Sequence, residues 1–192
     1  MNLNYAAYKN VRDGAWQCLI DNNITSLPVD LRIIARSAGI KIVSNKNADV
    51  LSNDETGKSL LLGDQWLVVY DDKSPKGRRR FTIAHEFGHI FLGHELVGDA
   101  HRRSFRLNRP QEETDADMFA ARILAPACVL QALDIHSAEE IASLCGMSME
   151  ASAYRAERME ELYQRNKFDL SPLERAVRKQ FKLFIEQKEG RG

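Results

Sequence analysis

Residues Phe81–Leu92 have the sequence FTIAHEFGHIFL, and this stretch decides how the rest of the chain is arranged. As a helix it would carry apolar side chains around nearly its whole circumference, which is typical of a buried helix. Three ionisable side chains nevertheless lie inside it: His85, Glu86 and His89. Burying such groups is costly unless they are paired or bind a metal ion. The stretch therefore predicts a functional centre inside the fold.

The spacing of His85 and His89 predicts a metal site. Four residues along a helix place two side chains on one face, one turn apart. Both imidazoles can then reach one zinc ion, and Glu86 lies close to the position at which a water molecule would be activated. This H-E-x-x-H arrangement is that of zinc peptidases, with the glutamate as general base. Gly88 is unfavourable inside a helix by about 1 kcal/mol, which predicts that another element packs closely beside it.

A catalytic zinc ion needs a third protein ligand, and three candidates follow the motif. His94 comes five residues after His89, about 140° away around a continuous helix, so we expect it to point elsewhere. His101 falls in the polar connection that follows. Glu113 is favoured over both, because it begins a second helix in which Asp117 lies one turn later on the same face. Glu113 would bind the metal, and Asp117 would orient a histidine by accepting its other N–H.

The patterns outside these two helices predict an α+β fold. Strand-like stretches at Ile40–Val43, Ser59–Leu62 and Trp66–Tyr70 predict a small antiparallel sheet packed on the H-E-x-x-H helix and the second ligand helix. A substrate strand would add to the edge of this sheet, beside Trp66–Tyr70. We expect residues 1–125 to form a zincin-like metallopeptidase core and residues 126–188 to form a helical subdomain packed on it.

The composition restricts the class of protein. The chain has 192 residues, of which 27 are basic and 27 acidic, so its formal net charge is zero. This balance argues against binding nucleic acid over a broad surface. Three widely spaced cysteines without a C-x-x-C pair argue against a disulfide framework or a thiolate zinc site. No signal-peptide pattern and no apolar run of the ~18 residues of a membrane span are visible, so we expect a cytoplasmic protein.

The strings around the metal motif resemble a known family. Arg78–His94, which contains H-E-x-x-H, and Glu113–Pro126, with the pattern E-x-x-A-D-x-F-A-A-x-I-L-x-P, are similar to the paired signature of the ImmA/IrrE metallopeptidases. The stretch Leu27–Ile42 is similar as well, so the resemblance covers roughly residues 25–155. The chain departs from the common family ending leucine-methionine-proline at Ala125, a change that we expect to affect packing and not ligation.

The resemblance implies a ligand set, a reaction and a substrate. His85, His89 and Glu113 would be the zinc ligands and Glu86 the catalytic base of an endopeptidase, with the adjacent Glu112 as the alternative third ligand. Members of this family commonly relieve repression by cleaving a helix-turn-helix transcriptional repressor encoded on a phage, a mobile element or a stress locus. The implied partner is therefore a repressor protein.

Two other functions stay open on the sequence. Ala138–Arg155 has the cadence of a helix-turn-helix, which would suit a DNA-binding regulator. Its second helix is rich in glutamate, whereas a helix that contacts DNA would be more basic, so direct DNA binding is disfavoured. A zinc-containing protein could also bind a repressor or a toxin partner without cleaving it. The sequence identifies no side chain that would stabilise the oxyanion. Arg78–Arg80 are candidates only, because we interpret them as exposed basic residues.

Overall fold

The computed structural model describes residues 11–98, 102–105, 110–166, 168 and 171–190, so His101 lies outside the described residues. The strands are β1 (Lys41–Ser44), β2 (Gly57–Leu62), β3 (Gln65–Tyr70), β4 (Leu96–Gly98) and β5 (Arg102–Phe105). The helices are α1 (Val11–Asp21), α2 (Leu31–Ala38), α3 (Asn45–Ala48), α4 (Lys76–Leu92), α5 (Pro110–Leu124), α6 (Ala127–Ala132), α7 (Ala138–Cys145), α8 (Met149–Gln164), α9 (Pro172–Gln180) and α10 (Lys182–Glu189). This order of elements confirms the predicted α+β class. None of the helices in this part of the chain is long and apolar enough to span a lipid bilayer.

The strands form one sheet in the order β1-β3-β2-β5-β4. The pairs β2–β3, β2–β5 and β4–β5 are antiparallel, but β1 runs parallel to β3, with Lys41 opposite Leu67. The prediction of an antiparallel sheet is therefore wrong for this one pair. After β1, the chain passes through α3 to β2, which lies two positions away from β1 in the sheet. The hairpin after β2 then places β3 between these two strands, parallel to β1.

The helix with the metal motif, α4, packs against α5 and against two strands of the sheet, β2 and β3. Phe87 and Phe91 of α4 and Phe119 of α5 are fully buried. The ring centroids of Phe91 and Phe119 lie 5.9 Å apart. An ideal Cβ on Gly88 would lie 2.8 Å from the Cα of Ala116 in α5. Glycine therefore allows the two helix backbones to touch, which confirms the predicted close packing beside the motif.

The C-terminal helices pack on the same hydrophobic core. The Nε2 group of Gln180, at the end of α9, donates to the carbonyl oxygens of Leu19 and Ile24 at 2.8 and 2.6 Å. Arg155 of α8 is buried and donates from Nε and Nη2 to the carbonyl oxygen of Ala125 at 2.9 and 2.6 Å. One cluster of buried residues spans both sides of residue 125. The division of the chain at that point stays a prediction.

The first turn of α4 supports the turn between α7 and α8. An ideal Cβ on Gly77 would lie 2.6 Å from both the carbonyl carbon of Met147 and the backbone nitrogen of Ser148. One turn later, Arg80 donates from Nη2 to the carbonyl oxygen of Cys145 at 3.3 Å. The beginning of α8 is therefore held against the helix that carries the metal motif.

Candidate metal centre

Two histidines of α4 direct their Nε2 atoms toward one point. The Nε2 atoms of His85 and His89 lie 3.0 Å apart, and the ring centroids are separated by 4.7 Å. His89 is only 3% exposed, whereas His85 is partly buried at the floor of an open cleft. The four-residue spacing on the helix therefore brings the two imidazoles together, as predicted from the sequence.

Helix α5 brings a carboxylate to the same point. Glu113 places Oε2 at 3.3 Å from Nε2 of His85 and Oε1 at 3.5 Å from Nε2 of His89. Among the described residues, these three form a cluster whose potential ligand atoms all lie within 4.8 Å of one another. Glu112, the alternative third ligand, does not belong to this cluster.

The separations within the cluster fit a tetrahedral metal ion. Ligand atoms held at about 2.0–2.1 Å from a tetrahedral centre are about 3.3–3.4 Å from one another. The observed separations are 3.0, 3.3 and 3.5 Å. Two imidazoles and one carboxylate also leave a fourth position for water or substrate, as in catalytic centres. The residues present therefore fit a catalytic metal ion, and their individual assignment as ligands stays a prediction.

The second ring nitrogen of each histidine also has a partner. Oδ1 of Asp117, one turn after Glu113 on α5, lies 2.7 Å from Nδ1 of His85. Nδ1 of His94 lies 2.8 Å from Nδ1 of His89. A partner that accepts Nδ1–H leaves the lone pair on Nε2 for a metal ion. Asp117 therefore lies where its predicted orienting role requires it.

The prediction that His94 points away from the site is wrong. It assumed a continuous helix, whereas α4 ends at Leu92. Gly93 takes a left-handed conformation with φ 70°, and the backbone N–H of His94 donates to the carbonyl oxygen of His89 at 3.2 Å. This turn brings the side chain of His94 back beside His89. The signal in the sequence was Gly93, because glycine in this conformation commonly ends a helix.

Glu86 lies buried beside the histidines, with 8% of its surface exposed. Its Oε2 accepts a 2.7 Å hydrogen bond from Oγ of Ser59 on β2. Burial raises the pKa of Glu86, against the opposite effects of His85 and of the hydrogen bond from Ser59. A carboxylate with a raised pKa takes up a proton more readily near neutral pH. The role of Ser59 was not predicted, because its contact with Glu86 depends on how a distant strand packs on α4.

The electrostatic surroundings of the histidines differ. Burial, together with the neighbouring rings of His85 and His94, lowers the pKa of His89 to about 3. Burial also acts to lower the pKa of His85, but the hydrogen bond with Asp117 and the charge of Glu86 outweigh it, so this pKa is raised. Burial lowers the pKa of His94. Both effects favour the neutral form of His89 and His94, and a metal ligand must be unprotonated at the nitrogen that binds.

A cleft of about 560 Å³ opens over the cluster. One wall consists of residues 54–59, which include the loop before β2 and the first three residues of the strand, and the floor is α4. The other wall includes Glu150, Ala151 and Tyr154 from the first turns of α8, with Glu150 and Tyr154 one turn apart on the same face. Tyr154 is 68% exposed, so its ring is accessible to a molecule in the cleft. This contribution of α8 was not predicted from the sequence.

The strand that meets the cleft is β2. β3 pairs with β1 on one side and with β2 on the other, so the prediction that a substrate strand adds beside Trp66–Tyr70 is wrong. Gly57, Lys58 and Ser59 line the cleft, whereas β2 pairs with β5 only over Leu60–Leu62. Within the described ranges, no strand covers that side of residues 57–59.

The three arginines that precede the motif differ in position. Arg80 donates to two backbone carbonyl groups and is partly buried. The guanidinium carbon of Arg79 lies 6.0 Å from the ring centroid of Tyr70. Arg78 lines the cleft, two helical turns before His85. Of these three, Arg78 is the one placed to contact a molecule bound in the cleft.

Comparison with known proteins agrees with this geometry. Residues 35–157 match the model of the peptidase family M78, described as the IrrE N-terminal-like domain. No curated protein and no solved structure matches the chain significantly. The matched residues cover more than half of the chain and include α4, α5 and the part of α8 that lines the cleft. The chain therefore belongs to the M78 family of metallopeptidases, the ImmA/IrrE family that its paired motifs resemble.

Proposed function

We propose that the protein is a zinc-dependent endopeptidase with His85, His89 and Glu113 as ligands and Glu86 as general base. One observation carries the proposal: two imidazole nitrogens and a carboxylate meet at tetrahedral separations, beside a buried glutamate and at the floor of an open cleft. Membership of a metallopeptidase family supports the same class of reaction.

Zinc is the metal that this set of ligand atoms suits best. Two imidazoles and a carboxylate with a vacant fourth position are typical of catalytic zinc in hydrolases. Calcium and magnesium prefer six or more oxygen ligands, and the cluster offers two nitrogens and one carboxylate. When bound at such a site, zinc polarises a peptide carbonyl group and lowers the pKa of a water molecule toward about 7.

Residues of the chain itself would handle the proton. Glu86 is placed to take a proton from water as the water attacks the peptide carbonyl carbon, and then to give it to the leaving amine nitrogen. Ser59 fixes Oε2 of Glu86 through its hydrogen bond. Oε1 lies on the side of Gly57, which lines the cleft. The carboxylate is thus held with one oxygen available for proton transfer.

The cleft suggests how a peptide would lie. Residues 57–59 are extended backbone along one wall, so an extended substrate can add to them through main-chain hydrogen bonds. Tyr154 and Glu150 face the substrate from the opposite wall. Arg78 and Tyr154 carry N–H and O–H donors in the cleft, and both are candidates to stabilise the developing oxyanion.

The substrate that we propose is a helix-turn-helix transcriptional repressor, the class that the family resemblance implies. Hydrolysis of one peptide bond would separate the repressor into fragments and restore transcription. The cleft, with extended backbone on one wall and an exposed aromatic side chain on the other, suits a segment of a protein chain.

The placement of α8 argues against a DNA-binding regulator. Arg155 is buried, and two of its N–H groups donate to the carbonyl oxygen of Ala125. Arg158 pairs with Glu161 on the same helix. The first turns of α8 face the peptidase cleft. A helix whose arginines are engaged in this way has little positive charge with which to contact DNA.

Glu86→Gln distinguishes a peptidase from a zinc protein that only binds its partner. The wild type, Glu86→Gln and the control Glu139→Gln, which changes an exposed residue of α7, are each co-expressed with a helix-turn-helix repressor chosen from the genes that neighbour the gene of this protein. Intact mass spectrometry should find two fragments, summing to the repressor plus one water, with the wild type and the control. Glu86→Gln should leave the repressor intact at equal zinc content. An uncleaved repressor with the wild type would refute the proposed substrate, and full derepression by Glu86→Gln would refute the peptidase proposal.

A further inference from the structure

We propose that His94 is a positioning residue of the metal centre, whose Nδ1 accepts Nδ1–H of His89 and so holds Nε2 of His89 toward the metal. The inference rests on the zinc site proposed above. It gives a role to a side chain outside the H-E-x-x-H and α5 motifs.

The contact between the two rings selects a tautomer. Their Nδ1 atoms lie 2.8 Å apart with the ring planes at 75°, within hydrogen-bonding distance. A neutral imidazole donates from one nitrogen and accepts at the other. If His89 donates from Nδ1, the lone pair remains on Nε2, the atom that lies 3.0 Å from Nε2 of His85. The opposite direction would put a proton on Nε2 of His89, where it would exclude a metal ion.

The backbone places His94 with little freedom. Gly93 ends α4 in the left-handed conformation, and the backbone N–H of His94 donates to the carbonyl oxygen of His89. His94 is therefore joined to His89 through both main chain and side chain. A histidine ligand whose Nδ1 is held in this way has its ring oriented before the metal binds, so binding does not have to order the side chain.

The two histidines have acceptors of different charge. Asp117, the partner of His85, is a carboxylate with 59% of its side chain exposed to water. His89 is 3% exposed, and there a neutral imidazole supplies the acceptor. A second carboxylate beside this buried ring would carry a large desolvation cost. The neutral acceptor therefore suits the more deeply buried ligand.

Zinc affinity, measured with the full chain by competition with a chromophoric chelator, tests the proposal. His94→Phe keeps a ring without an acceptor and should weaken zinc binding roughly 10–100-fold, the usual effect of losing a group that orients a ligand. His94→Asn places Oδ1 near the position of Nδ1 and should lose less than about tenfold. The control His136→Phe removes a surface imidazole bonded to Asp134 and should leave the affinity unchanged.

A His94→Phe protein that binds zinc as tightly as the wild type would overturn the inference while leaving the zinc site in place. Equal losses in His94→Phe and His94→Asn would overturn it too, because the effect would then be one of packing. A wild type that binds no zinc overturns this inference together with the proposed function.

A second measurement does not depend on any substitution. In the zinc-loaded wild type, nitrogen-15 NMR of the histidine rings should find Nδ1 of His94 unprotonated, because this atom accepts Nδ1–H of His89. A proton on Nδ1 of His94 would overturn the inference and leave the zinc site in place. Metal-free melting curves of the variants show whether His94→Phe is folded, and if it is not, His94→Asn and the NMR result decide.

Discussion

Ser59 joins the sheet to α4, because its Oγ donates a 2.7 Å hydrogen bond to Oε2 of Glu86. Both residues are buried, at 1% and 8% exposure. Hydrogen bonds to ionised groups are stronger than those between neutral groups, and a low local dielectric strengthens them further. A residue of β2 thus controls the direction of the proposed general base.

Ser59→Ala is expected to lower kcat about tenfold and to leave KM and zinc content unchanged. Loss of a hydrogen bond to a charged group costs about 1.5 kcal/mol or more, which is about tenfold in rate. Steady-state cleavage of the repressor measures the effect. Ser74→Ala is the matched control, because Ser74 donates to Asp71 outside the cleft. A Ser59→Ala enzyme as fast as the wild type would mean that Glu86 is held without this bond.

Glu113→Ala is expected to reduce bound zinc far below one ion per chain, whereas Glu112→Ala should keep it near one. Only the carboxylate of Glu113 belongs to the cluster with the two histidines. Loss of a ligand should exceed the roughly 10–100-fold effect of losing an orienting group. Metal analysis after dialysis checks both variants. The reverse pattern would assign the third ligand to Glu112.

Gly88→Ala is expected to lower the free energy of unfolding by about 1–2 kcal/mol and to weaken zinc binding. The added methyl group would meet the backbone of Ala116, which cannot move aside easily, so we expect an overpacking cost of about 2–3 kcal/mol, offset by about 1 kcal/mol of helix propensity. Denaturant unfolding of the metal-free protein gives the first quantity. Gly190→Ala, at an exposed position with an ordinary φ of −74°, should be nearly neutral. An unchanged stability of Gly88→Ala would contradict the observed contact.

Arg155→Ala is expected to lower the free energy of unfolding by about 1.5–3 kcal/mol, because the buried carbonyl oxygen of Ala125 loses two charged donors. Arg158→Ala, which removes an exposed arginine of the same helix, should change stability by less than about 0.5 kcal/mol. Urea unfolding compares the two. If Arg155→Ala were as stable as Arg158→Ala but had lost the ability to bind DNA, the DNA-binding alternative would be favoured instead.

Tyr154→Ala is expected to lower kcat/KM for the protein substrate about tenfold, which corresponds to about 1.4 kcal/mol of lost contact. The side chain is 68% exposed, so stability and zinc content should not change. Tyr154→Phe then separates the ring from the hydroxyl group, and a fall in kcat alone would indicate a contact with the oxyanion. Leu183→Ala, at a site 73% exposed on α10, is the control. A Tyr154→Ala enzyme with unchanged kcat/KM would remove α8 from the substrate wall.

The sequence predicted what depends on local spacing. His85 and His89 converge because they lie one helical turn apart, and Asp117 follows Glu113 by the same interval. Gly88 indicated that another element would pack closely beside the motif, and that element is α5, where Gly88 meets Ala116. Periodicity and residue size are properties of short stretches, so a single sequence contains them.

The features that the sequence did not predict depend on chain reversal or on long-range packing. Gly93 ends the helix, and the turn that follows brings the side chain of His94 beside His89. The prediction for His94 used the rotation along a continuous helix and therefore did not include this turn. Ser59 meets Glu86, and β1 joins β3 in parallel, only once the sheet is assembled. The contribution of α8 to the cleft likewise depends on how a later helix pair docks.

Gly77 allows one wall of the cleft to pack closely on α4. Without a side chain, it lets the turn before α8 rest directly on the backbone of α4, the helix that carries both histidines. A larger residue at this position would meet the backbone of Met147 and Ser148 and displace the turn that leads to the cleft residues of α8. The position of one wall of the cleft therefore depends on a glycine at the end of α4 farthest from His85 and His89.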